Sequence, residues 1–228
     1  MPNTNSPLSR GASPRSRRRH AIVGATVLAL AGVLVAASPA PRPHVVASKP
    51  DTLDSIRHAT ARYRDVKAAL ADGYIRDPMD MCVTGATEGK PDWVGGMGIH
   101  FFRPDVLGIT ATSPRVTGTG THTDFMHPGV LIYEPRPDGS LQLVAVENLV
   151  FEKAWRATGH SEPPAFEGHE YFHMVDNPLT PVDEAHGFEP HYELHIWTER
   201  PNPRGTYMEF NPNVTCKYHK AQQAPPAR

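Results

Sequence analysis

Cysteine is scarce in this 228-residue chain, which has only Cys82 and Cys216. The two are isolated and have no partner motif, which argues against a thiolate metal site, and neither resembles a catalytic nucleophile. No cysteine closes the apolar run near the amino terminus, so a lipoprotein anchor is not expected. Excess charge is also missing. Twenty-three Lys and Arg face 24 Asp and Glu, for a net charge of −1. That balance leaves no basic footprint for nucleic acid. Beyond residue 40 no apolar run is long enough to span a bilayer. The chain has no P-loop, no glycine-rich dinucleotide fingerprint and no G-x-S-x-G elbow, which removes the commonest nucleotide-binding and serine-hydrolase readings.

What is there begins with a targeting pattern. Arg10, Arg15, Arg17, Arg18 and Arg19 precede an uncharged run from Ala21 to Ala37, and small residues follow at Ala36, Ala37, Ser38 and Ala40. This reads as a signal peptide over 1–40, with an uncleaved membrane anchor as the alternative. A proline-rich linker over 41–50 leads into one domain over 51–217, and a polar tail occupies 218–228. In an exported chain an even cysteine count points to one disulfide, Cys82–Cys216; two free buried thiols are the alternative. The protein is therefore expected outside the cytoplasm, as a secreted, periplasmic or cell-surface domain.

The fold class expected is α+β, an amphipathic helix packed on an antiparallel sheet or partly closed barrel. Leu53, Ile56, Thr60, Tyr63, Val66 and Leu70 recur at helical steps, and Gly73 is a suitable stop, so one helix is expected over 52–72. After Gly73, Pro, Gly, Asn and Asp punctuate short apolar runs, the pattern of antiparallel strands. The clearest unit is a hairpin: Val130–Tyr133, a Pro-Asp-Gly turn, and Leu141–Val150 returning. Strands are also expected at 98–102, 191–199 and 206–210, loop at 104–121, and a short helix near 166–174.

Histidine is abundant. Six of 13 lie between His160 and His195. As a strand, His191 to Trp197 places His191, Glu193, His195 and Trp197 on one face and Tyr192, Leu194 and Ile196 on the other. His100, in another strand, and Glu147, on an apolar strand face with Leu141, Leu143 and Ala145, could join His195 to make a two-histidine, one-carboxylate set. Such a set suits Fe(II) or zinc. His191 and Glu193 are the reserve ligands. The same residues could instead form a hydrogen-bonded cluster with no metal. A separate proposal is His169-Glu170-Tyr171-Phe172-His173, which matches HExxH. On a helix His169 and His173 would bind zinc with Glu170 as general base, and His186 is the best third ligand. His122, Asp124 and His127 form a weaker cluster in a loop.

Several segments together resemble a group of exported bacterial proteins of unassigned function. They are Gly96-Met97-Gly98-Ile99-His100, Leu131-Ile132-Tyr133-Glu134-Pro135, Val146-Glu147, Glu193-Leu194-His195-Ile196-Trp197, Asn202-Pro203-Arg204-Gly205 and Asn211-Pro212-Asn213-Val214-Thr215-Cys216. The resemblance implies export and places His100, Glu147 and His195 inside shared motifs, with the HExxH segment between them. It implies no activity. Three functions are open: an extracytoplasmic metal- or small-ligand-binding protein, a zinc hydrolase, and a structural or interaction domain.

Overall fold

The computed structural model describes residues 52–220, and the expected signal peptide, linker and last eight residues lie outside them. The described chain is a mixture of short helices and a seven-stranded antiparallel sheet, tied by a disulfide between Cys82 and Cys216. In chain order the elements are α1 (Thr52–Thr60), α2 (Val66–Ala71), β1 (Ile75–Arg76), β2 (Cys82–Thr84), β3 (Gly96–Phe102), α3 (Pro104–Leu107), β4 (Ile109–Ala111), β5 (Thr117–Gly118), β6 (Val130–Pro135), β7 (Leu141–Phe151), α4 (Glu152–Ala157), β8 (Ala165–Phe166), β9 (His169–Glu170), β10 (Phe172–Met174) and β11 (His191–Ile196). The main sheet runs β1-β3-β6-β7-β11-β10, with β2 also paired to β3. Its two ends do not pair, so the sheet is open rather than a barrel.

The single helix expected over 52–72 is broken. A 3-10 turn, Ala61–Arg64, follows α1, and Asp65 then takes an extended conformation and accepts a hydrogen bond from the Lys67 amide. Asp65 is thus the cap of a second helix, a role its short carboxylate fills better than a helix interior. The break changes the helical phase: α2 buries Ala69, and Leu70 is 51% exposed. Gly73, at φ +92°, ends α2, with the Tyr74 amide bonded to the Ala69 carbonyl.

Each face of the sheet carries its own core. Tyr192, Leu194, Ile196, Val146, Val150, Leu131, Tyr133, Ile99 and Phe101 share a buried cluster with Ile56 and Ala69. Phe102, Val130, Ile132, Ala145, Leu149, Phe151 and Trp197 lie in the other cluster, covered by Leu107, Val116 and Phe188 from the loops. A bulge in β7 opposite Ile132 and Tyr133 disturbs the alternation of faces. Leu141 and Leu143 therefore pack on the first face, and only Ala145 stays with Glu147. Simple alternation from Leu141 had placed all three beside Glu147, and the extra residue at the bulge, Val144, is why it fails.

Other expectations also change. The 104–121 segment holds α3 and the small β4–β5 hairpin. Residues 206–210 form no strand; the Trp197 amide bonds to the Thr206 carbonyl, and Phe210 is buried against Met97 and Val83. The carboxyl-terminal motif clamps the sheet. Asn211 exchanges two backbone hydrogen bonds with Gly96, and its side chain donates to the Arg200 carbonyl. A Cβ on Gly95 would lie 2.1 Å from the Asn211 carbonyl oxygen, so only glycine fits there. Buried Glu134 accepts from the Thr215 amide and from Arg200. Gly96, Glu134 and Asn211 thus hold the carboxyl-terminal segment to the sheet.

Candidate functional site

Strands β3, β7 and β11, with β6 lying between β3 and β7, bring His100, Glu147 and His195 together. The register pairs His195 of β11 with Glu147 of β7, Glu147 with Val130 of β6, and His100 of β3 with Ile132 of β6. Glu147 Oε2 lies 3.3 Å from His100 Nε2 and 3.4 Å from His195 Nε2. One ligand atom from each of the three fits within 4.8 Å of the others. All three side chains are buried, at 3% exposure or less.

None of these approaches has hydrogen-bond alignment. Both ring nitrogens of His100, both of His195 and both oxygens of Glu147 are buried without a hydrogen-bond partner. Removing a polar atom from water without a partner is costly, so buried polar atoms are nearly always hydrogen-bonded. One such atom from each residue, within 4.8 Å of the other two, has the arrangement of ligands aimed at a shared centre. Asn148, next to Glu147, turns its side-chain oxygen elsewhere and accepts from the Gly129 amide.

Next to this group lies a second. His186, His191 and Glu193 also offer atoms within 4.8 Å of one another, and all three are buried. Glu193 Oε2 is 3.3 Å from His186 Nε2 and 3.2 Å from His191 Nε2. On the other side of the His191 ring, Nδ1 donates to the Glu189 carbonyl at 2.9 Å, a bond that only an N–H can make. This sets the tautomer and aims Nε2 at Glu193. The two groups touch: Glu193 Oε1 lies 3.8 Å from His195 Nδ1, and the rings of His100 and His186 stack at 5.3 Å. Trp197 stacks on His195 at 5.9 Å.

His186 comes from the loop before β11, and the loop is pinned. Asp183 accepts from the amides of Ala185 and Gly187, and Arg115 binds both the Asp183 carboxylate and the Phe188 carbonyl. The His186 backbone sits at φ +37°, a left-handed conformation uncommon for any residue but glycine. The surrounding bonds hold it there.

Burial divides the ionisation states. It lowers His100 to about 4, helped by the charge of His186, and it lowers His195 as well. Burial raises Glu147 to about 7, reinforced by the nearby charge of Glu193. At His186 burial opposes the charge, but the hydrogen bond and charge of Glu193 outweigh it and raise the ring to about 9. Burial likewise opposes ionisation of Glu193, and the hydrogen bonds from His186 and His191 hold its carboxyl well below the usual range. The second group is thus built around an anion met by a cation, and the first around groups that prefer to be neutral without one.

The HExxH segment does not form the helix its zinc chemistry needs. Gly168, at φ +82°, starts a turn into β9, and His169 and Glu170 pair with Phe166 and Ala165. His169 stacks on Tyr207 at 4.0 Å, while His173, on β10, bonds to Glu152 at 2.9 Å. Glu170 is exposed, and His186, the expected third ligand, belongs to the Glu193 group. The helical spacing of HExxH means nothing on strands, where residues four apart are some 13 Å apart along the chain. Asp124 and His127 are exposed and His122 is half-buried. His127 bonds to Asp124, and His122 bonds to main-chain carbonyls. Among the described residues, the groups of three that could hold an ion are the two described above.

Sequence reasoning treated His191 and Glu193 as reserves for the first group; they instead build the second. It did not foresee that His186 joins them. The only trace of that in the sequence is the His186-Gly187 pair in a histidine-rich loop, because a loop has no periodicity from which to read direction.

Comparison of the chain with protein-family models, with curated proteins and with solved structures gave no match.

Proposed function

We propose that this is an extracytoplasmic metal-binding protein, with a divalent transition-metal ion held inside the sheet by His100, Glu147 and His195. The observation that carries this reading is the convergence of one ligand atom from each of three buried side chains on three strands, with no hydrogen bond among them. Two imidazoles and one carboxylate are a donor set for zinc, Fe(II) or copper. An ion there would supply the positive charge that a buried Glu147 lacks and would engage the nitrogen lone pairs of both histidines.

Burial favours an ion that is held rather than one that catalyses. A catalytic metal keeps a position open to substrate and water. Here the three side chains are closed in on every side. Location outside the cytoplasm is supported by the Cys82–Cys216 disulfide, a bond more typical of oxidising compartments. It is also supported by the arginine-then-apolar pattern of residues 10–37 and by the resemblance to exported bacterial proteins. Among the described residues no helix is long and apolar enough to cross a membrane.

The test is elemental analysis of the purified protein lacking residues 1–40, alongside His195→Ala and His173→Ala. Metal retained in the wild type, reduced in His195→Ala and unchanged in His173→Ala, is the expected result. Wild-type protein that neither carries metal nor takes up added Zn(II), Fe(II) or Cu(II) would overturn the reading in favour of a structural polar cluster.

A further inference from the structure

We infer that the domain holds a second divalent transition-metal ion at His186, His191 and Glu193, so that the core contains a paired metal centre. The pairing rests on the first site proposed above; the second ion has its own ligands and its own support.

The first support is the commitment of the His191 ring. Its Nδ1–H is given to the Glu189 carbonyl, so Nε2 faces Glu193 Oε2 at 3.2 Å with either a second proton or a cation between them. His186 Nε2 meets the same oxygen at 3.3 Å. One carboxylate oxygen is therefore the meeting point of two imidazoles, in a place buried away from the surface. A donated second N–H from the face opposite the metal is the usual way a ligating histidine is oriented.

The second support is the strained position of His186. A left-handed backbone at a non-glycine residue persists only where its surroundings over-determine it, and such residues gather at binding sites. Here Asp183 and Arg115 fix the loop, and the result is a ring delivered to Glu193. A third support is Glu193 Oε1, buried and without a hydrogen-bond partner, which points across to His195 Nδ1 at 3.8 Å. Glu193 thus presents one oxygen to its own group and the other to a ring of the first. In this arrangement the Glu193 carboxylate and the His195 imidazole are the link between the two ions. The donors at both positions are two histidines and one carboxylate, so both ions are of the same class, first-row divalent metals that accept nitrogen and oxygen ligands.

The experiment uses the disulfide-bonded mature chain, stripped with a chelator and titrated with Zn(II). The wild type is expected to take up two equivalents. His191→Gln, chosen to keep the side-chain volume, and His186→Ala are each expected to take up one, as is His100→Ala; the His100→Ala/His191→Gln double variant is expected to take up none. Saturation at one equivalent in both the wild type and His191→Gln, with loss in His100→Ala, overturns the second ion and leaves the first. One equivalent in the wild type, lost in His191→Gln and kept in His100→Ala, overturns the first ion and with it the pair. No uptake by the wild type overturns both. A readout free of variants guards against misfolding: long-range ¹H–¹⁵N spectra of the wild-type histidine rings. The Nε2 resonances of His186 and His191 should move with one equivalent and those of His100 with the other. Failure of the His186 and His191 resonances to move at any Zn(II) ratio also overturns the second ion.

Discussion

Glu147 sits between His100 and His195 with one carboxylate oxygen 3.3 and 3.4 Å from their Nε2 atoms, yet makes a hydrogen bond to neither. Strands β3, β7 and β11 deliver these side chains to one point of a face that is otherwise packed with Val130, Ile132, Leu149 and Trp197. Such a constellation destabilises the domain unless something satisfies it, and that condition makes it testable.

Metal removal is the most direct check. A ligand that binds only the folded state stabilises it by about 3 kcal/mol at a free concentration 100-fold above its Kd. For a domain of this size that corresponds to a Tm shift of about 5–10 °C. Chelation should lower the Tm by roughly this amount, and added Zn(II) should restore it, as followed by calorimetry.

Glu147→Gln separates the charge of this group from its shape. Burial favours the neutral carboxyl here, so an amide of equal size should cost the metal-free protein little, under about 1 kcal/mol. It should nevertheless remove the part of the Zn(II) stabilisation that the His100, Glu147 and His195 site supplies, because a neutral amide is a poor ligand. Urea unfolding with and without Zn(II) measures both numbers on one sample.

A pH effect is expected at Glu88, whose carboxyl feels the opposing charges of His186 and Glu193 in the second group. Burial raises its carboxyl from 4.5 to about 7, with Lys90 too weak a partner to offset it. The folded state therefore binds this proton more tightly than the unfolded state does. The resulting stability is fully present below pH ~4.5, declines between ~4.5 and ~7, and is absent above that. The difference in unfolding free energy between wild type and Glu88→Gln should change by at most about 3 kcal/mol across this window and be flat from pH 7.5 to 9. A flat difference between pH 4.5 and 7 would contradict the assignment.

The HExxH residues should be dispensable. His169 stacks on Tyr207 at the surface, and His173 pairs with a partly exposed Glu152. Exposed pairs of this kind contribute about 0.5 kcal/mol. His169→Ala and Glu170→Ala should each unfold within about 1 kcal/mol of wild type and retain the same metal content. A zinc hydrolase would lose its metal in the first variant.

The disulfide closes a loop of 134 residues between β2 and the carboxyl-terminal segment. In the chain-entropy account its removal costs about 4–5 kcal/mol. The Cys82→Ser/Cys216→Ser double variant should unfold at a correspondingly lower denaturant concentration. Asn211 and Glu134 still hold the terminal segment to the sheet, so the variant should keep its fold at low temperature.

Much of the sheet was legible because its signals are local. The Pro-Asp-Gly turn, the apolar runs on either side of it and the alternation in His191–Trp197 are properties of a few consecutive residues, and β6, β7 and β11 follow them. Where a local rule was interrupted by a local exception the reading failed. Asp65 caps a new helix inside an unbroken apolar stripe, and Val144 makes a bulge inside an alternating strand. Neither residue is unusual for the pattern it interrupts. The HExxH match failed for a different reason: a motif written in helical spacing has no meaning until the helix exists, and Gly168 and the pairing of β8 with β9 direct that segment into strands.

By itself the sequence determined that one β11 face carries two histidines and a carboxylate, and that two cysteines were available to pair. Those are consequences of backbone period and composition. Only the tertiary structure decided which strands are neighbours, and so that Glu147 meets His100 and His195, that Glu193 turns instead to His191, and that His186 arrives from a loop to join it. Strand order and loop direction depend on long-range packing, and no rule of spacing along the chain encodes which distant residue will fill the other half of a site.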